Sequence, residues 1–104
     1  MEPIQNAGES ISLDEAKTMT RDFRNLYPNS TKGYMISAVN IQQILNQDGC
    51  QGLRIYNGYD AANKATNLVI VGTDSSGNDL YEGVIMDRLT PCPSSCDASS
   101  PLCD

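Results

Sequence analysis

Thr66-Asn67-Leu68-Val69-Ile70-Val71-Gly72 is the stretch that decides the fold. Leu68 to Val71 is an unbroken apolar run rich in β-branched side chains, bounded by Asn67 and Gly72. That is the length and composition of a strand, and continuous apolarity implies cover on both of its faces, so a central strand is expected here. On its N-terminal side, Gly52-Leu53-Arg54-Ile55-Tyr56 alternates, with Leu53 and Ile55 on one side and Arg54 and Tyr56 on the other, as in a half-buried strand. The polar segment Asn57 to Lys64, which opens with an Asn-Gly dipeptide, is expected to join these two strands as an antiparallel pair. On the C-terminal side, Asp74 to Asp79 is a turn cluster, and Leu80 to Met86 is expected to close a second hairpin.

The first half of the chain has a different period. Ser12-Leu13-Asp14-Glu15 matches a capping box, in which the serine hydroxyl takes an orphan helix amide. Leu13, Ala16, Met19, Thr20, Phe23, Leu26 and Tyr27 then recur at three- and four-residue steps, which predicts an amphipathic helix stopped by Pro28. Tyr34-Met35-Ile36 reads as a short strand. Ser37 is suited to cap a second helix carrying Ala38, Ile41, Ile44 and Leu45 on one stripe, with Gly49 as its stop.

Together these elements predict an α+β domain in which two helices pack on one face of a small antiparallel sheet of three to four strands. Residues 1–10 read as an N-terminal arm, 11–90 as the domain, and 91–104 as an irregular tail rich in Cys, Pro and Ser. Two helices cover one side of such a sheet, yet Val69 and Val71 point opposite to Leu68 and Ile70. The uncovered side makes Val69 and Val71, with Tyr56 and Tyr59, the candidate assembly residues.

Composition narrows the function. The chain has 104 residues, no histidine and a formal charge of -6. Without imidazole the commonest general base and metal ligand are missing, and no nucleophile, P-loop or dinucleotide motif is present, so the reading leans away from an enzyme and expects no cofactor. Seven scattered Lys and Arg residues form no basic stripe, which argues against nucleic acid. No long apolar run or signal-like leader is seen, which reads as a cytoplasmic chain without a membrane partner, while export by another route stays compatible. The carboxylates Asp60, Asp74, Asp79, Glu82 and Asp87 read as a solvated loop surface.

Chemistry is concentrated in the cysteines. Cys92, Cys96 and Cys103 crowd the C-terminus, while Cys50 stands alone mid-chain. These four are candidates both for disulfides and for an all-thiolate metal site such as zinc. A bridge from Cys50 to Cys92 or Cys96 would tie the tail to the sheet edge. The spacing of Cys92 and Cys96 is not that of a two-residue redox motif.

The segment Gly49-Cys50-Gln51-Gly52-Leu53-Arg54-Ile55-Tyr56, the strand Leu68 to Gly72 and the ending Cys92-Pro93-Ser94-Ser95-Cys96 resemble a group of small bacterial α+β proteins. Those proteins share a GCxGLRIY segment and a C-terminal CPxxC-like ending. The resemblance implies a bacterial source and a linked role for Cys50 and the tail, and it carries no activity. The function expected is therefore a non-enzymatic structural or interaction protein. Its partner is a further copy, in a filament or other homo-oligomer, or another protein. The alternative is a thiol-based zinc or redox binder using Cys50, Cys92, Cys96 and Cys103.

Overall fold

The computed structural model describes residues 6–103, so half of the expected arm, residues 1–5, lies outside it. In chain order the elements are α1 (Leu13–Leu26), β1 (Gly33–Met35), α2 (Ala38–Leu45), β2 (Gly52–Asp60), β3 (Ala65–Thr73), β4 (Ile85–Met86) and β5 (Thr90–Cys92). The class is α+β, with two helices and antiparallel sheets, as the sequence predicts. The strands divide between two sheets, β2-β3-β4 and β1-β5, and the chain between two compact units. One unit is built on Ile36–Leu89, the other on Gly8–Met35 and the segment from Thr90 onward.

In the first unit, β2 and β3 pair over their full length, from Gly52 opposite Thr73 to Asp60 opposite Ala65. The expected connection from Asn57 to Lys64 is shorter than its polarity suggested, because Asn57 and Gly58 pair with Leu68 and Asn67 inside the ladder. A Cβ at Gly58 would stand 2.6 Å from the Asn67 side-chain oxygen, so a larger residue there would have to displace that amide. The turn itself is set by Asp60, whose carboxylate accepts the amides of Ala62 and Asn63, and by Lys64 in the left-handed region at φ 54°.

The second hairpin also differs. Only Ile85 and Met86 pair with Val71 and Ile70, while Asp79 makes an isolated bridge to Thr73. The reason is local: the Gln47 side-chain oxygen accepts the Val84 amide at 2.8 Å, and Gly83 turns back to the Leu80 carbonyl.

Burial is centred on α2 and the end of β3, where Ile44, Ile70, Val71 and Thr73 are buried. Ser37 caps α2 by accepting the Asn40 amide. The helix ends at Asn46, and Gly49, at φ 77°, reverses the chain into Cys50. The face of β3 that carries Gly72 receives this corner. A Cβ on Gly72 would meet Cys50 Sγ at 2.9 Å, Gln47 Nε2 at 3.2 Å and Ile44 Cγ2 at 3.2 Å.

The second unit is α1, the β1-β5 pair and the C-terminal segment. Ser12 caps α1 by accepting the Glu15 amide, and Tyr27 leaves helical geometry ahead of Pro28, both as predicted. The covered side of the helix carries Ala16, Lys17, Thr20 and Arg24, none more than half-buried. The remaining apolar arc faces outward, with Met19 60% and Leu26 72% exposed. The tail is less irregular than its composition suggested, since Thr90 to Cys92 pairs with Met35 to Gly33.

Gly72→Ala should lower the stability of the α2–β2–β3 unit by about 1–3 kcal/mol through overpacking. The measurement is the urea midpoint, and adding Cys50→Ala should restore part of the loss because the nearest obstructing atom is its sulfur. An unchanged midpoint would contradict the close approach at Gly72.

Candidate functional site

Three of the four cysteines are brought together in the second unit. Gly33 lies opposite Cys92, and the Lys32 amide donates to the Cys92 carbonyl at 2.6 Å, which fixes Cys92 at the end of the β1-β5 pair. The Ser95 amide returns to the Pro91 carbonyl at 3.0 Å, a turn that sets Cys96 beside Cys92 with Cα atoms 4.9 Å apart, and the two form a disulfide. Two further turns follow. Asp97 accepts the Ser99 amide and hydroxyl, the Ser100 amide reaches the Asp97 carbonyl, and the Cys103 amide reaches the Ser100 carbonyl. They carry Cys103 back until its sulfur stands 3.7 Å from that of Cys92. Arg24 on α1 holds the segment by donating to the Leu102 carbonyl at 2.6 Å.

The sulfur atoms of Cys92, Cys96 and Cys103 all lie within 4.8 Å of one another. They open into a cavity of about 340 Å³ whose lining includes Lys32, Tyr34, Met35 and Asp97. Asp97 is held below the usual carboxylate range by the Ser99 hydroxyl and amide. Cys50 is placed elsewhere: half-buried in the first unit, its thiol donates to the Gly52 carbonyl at 3.3 Å beside Gly72. The bridge expected from Cys50 to Cys92 or Cys96 is therefore replaced by a local one, because the turn after Pro91 brings two cysteines four positions apart into range. The anchoring role of Arg24 was not readable from sequence, where it is one more polar residue on an amphipathic helix.

The second candidate is the sheet of the first unit. Cross-strand partners share a face, so Arg54, Tyr56, Val69 and Val71 lie on one side, and Ile55, Tyr59, Leu68 and Ile70 on the other. Val71 is 4% exposed and does not present a surface, and Val69 is half-buried. Tyr59 is 65% exposed, Ile55 57% and Tyr56 46%. No strand among the described residues lies beyond β2, so its nine residues form a sheet edge.

Over Val71, Asp79 gathers Arg54 and Tyr56: the guanidinium forms an ion pair with the carboxylate, and the phenol donates to its second oxygen. Arg54 also donates to the Gly77 carbonyl at 3.0 Å. Asp79 is consequently pushed below the usual carboxylate range, first by the Tyr56 hydroxyl and then by Arg54, and Tyr56 is pushed up by the same hydrogen bond. Asp79 and Glu82, read from sequence as solvated loop charges, line a cleft of about 440 Å³ with Asp48 and Gln47. Asp79 is committed to Arg54 and Tyr56, which leaves Asp48 and Glu82 as the other carboxylates of the cleft.

The signs of these shifts fix a pH dependence. The neutral Tyr56 donates to ionised Asp79, so the contribution is full between the two titrations. It is lost as pH falls through the depressed Asp79 value, and also as pH rises through the raised Tyr56 value. In a spectrophotometric phenolate titration, the latest-ionising component should belong to Tyr56 and move to lower pH in Asp79→Ala. A titration that Asp79→Ala leaves unmoved would remove this pairing.

In comparison with known proteins, no family model, no curated protein and no solved structure matches this chain.

Proposed function

We propose that the chain is a non-enzymatic interaction protein whose partner is a second copy of itself, joined through the outer edge of β2. The observation that carries this reading is the edge itself. A long, unprotected edge strand is a template for pairing with another chain, and proteins that stay monomeric shorten, bulge, charge or cover such edges. β2 has nine residues, no proline and no lysine, with Arg54 and Asp60 as its charges.

The sequence of β2 is complementary to itself when two copies run antiparallel about Asn57. Arg54 then faces Asp60 of the second copy, Ile55 faces Tyr59, Tyr56 faces Gly58, and Asn57 faces Asn57. Opposite charges meet, with Arg54 then shared between Asp79 of its own chain and Asp60 of the second copy, and a β-branched side chain meets an aromatic one, arrangements favourable in cross-strand pairs. Asn63 and Ala62 hold Asp60 below the usual carboxylate range, which favours its charged form. A register centred on Tyr56 would instead place Arg54 opposite Gly58 and lose both charge pairs. Pairing by the same edge on both copies is two-fold symmetric and closes on itself, which favours a dimer over the filament considered from sequence.

Sedimentation velocity across micromolar to millimolar concentrations should show a concentration-dependent dimer. Ile55→Lys, at an exposed position on the edge, should shift it to monomer while leaving the circular dichroism unchanged. A monomer at every concentration, or a dimer indifferent to Ile55→Lys, would overturn the reading.

A further inference from the structure

We infer that Cys92, Cys96 and Cys103 form a three-thiolate site for a soft metal ion of the zinc class, assembled when the Cys92–Cys96 disulfide is reduced. The inference is independent of the β2 edge and rests on residues of the other unit alone.

Geometry carries it. Zinc held tetrahedrally with Zn–S bonds of about 2.3 Å requires sulfur atoms about 3.8 Å apart. Cys92 and Cys103 already stand at 3.7 Å, and the three sulfurs are within 4.8 Å. Only the bonded pair, Cys92 and Cys96, has to separate, and Cys96 is exposed and free to do so. The backbone holds the set in advance: the β1-β5 pair fixes Cys92, the turn from Pro91 to Ser95 fixes Cys96, and Arg24 anchors the residue before Cys103.

The three sulfurs open into the cavity lined by Lys32, Tyr34 and Met35, which gives an ion a path to them. Asp97 lines the same cavity but stands outside the three-sulfur group, so water would be the fourth donor. Cys50, included among the zinc candidates from sequence, is outside the set.

The chemistry balances with a dithiol as reductant. Its two thiols are oxidised to a disulfide, the Cys92–Cys96 bond breaks, and each sulfur takes one proton. Metal binding then displaces the protons of the three thiols, so affinity rises with pH. In a reducing compartment the dithiol form prevails, and in an oxidising one the disulfide removes two of the three donors.

The test is a zinc titration of the full chain, reduced with a dithiol that is then removed under anaerobic conditions, against a chromophoric chelator. Co²⁺ in place of zinc should give a thiolate charge-transfer band. The expected result is one zinc per chain, with affinity about tenfold or more weaker in Cys103→Ser, since loss of a ligand should cost at least what loss of a supporting partner does. Cys96→Ser should weaken binding likewise, while Cys50→Ser and Ile55→Lys should match the parent, and the disulfide-intact chain should retain no zinc. Should Cys103→Ser fail to fold by circular dichroism, Cys96→Ser decides, because its side chain is exposed. No zinc retained after reduction, equal binding in Cys96→Ser, or loss in Cys50→Ser would each overturn the site.

Discussion

The absence of a side chain at Gly72 is the constraint on which the first unit depends. It lets the corner after α2 come down onto β3, so that Ile44, Gln47 and Cys50 all reach the sheet at one point. From there Gln47 donates its amide nitrogen to the Ile44 carbonyl and accepts the Val84 amide with its oxygen, and the Cys50 thiol donates to the Gly52 carbonyl. One contact thus sets the end of the helix, the start of β2 and the position of β4. The same arrangement explains where burial stops. An eight-residue helix seated at the Gly72 end cannot extend along nine-residue strands, and Ile55 and Tyr59 are left exposed toward the other end.

Elements whose signal is local were legible in the sequence. Ser12, Ser37 and Pro28 act within one helical turn, and the caps and stop they predict are where they were expected. The Leu68 to Val71 run lies in the central strand of its sheet, since it pairs on both sides. Misreadings arose where a distant partner overrides local preference. Asn57-Gly58 is a strong turn signal, yet both residues stay in the ladder, which runs unbroken to Asp60 opposite Ala65. Leu80 to Val84 has strand composition, but its amides are taken by Gly72 and Gln47. The proline-rich tail supplies a strand because Thr90 and Cys92 find β1, more than fifty residues earlier in the chain.

The cysteines follow the same division. Their clustering at the C-terminus was visible, and so was the possibility of a thiol site. Membership was not, because it depends on turns built by Ser95, Asp97 and Ser100 and on one long arginine reaching a backbone carbonyl. A disulfide beside a third thiol is chemically different from either a staple or an isolated cysteine. The third sulfur stands 3.7 Å from that of Cys92, and in the site proposed above reduction of the disulfide would be the step that frees the other two.

Charge bears on how two copies approach. Each carries a formal charge of -6, and like charge opposes any association. That repulsion is spread over the whole molecule and decays within a Debye length of about 8 Å at physiological ionic strength. Pairs at direct contact are not screened in that way. An edge that matches Arg54 with Asp60 in both directions places the local attraction inside the distance where the general repulsion persists. A second copy brought to another part of the surface meets the repulsion without that compensation. In the proposed dimer, net charge would therefore oppose non-specific collapse of the exposed apolar residues, and the β2 edge would be where that opposition is offset.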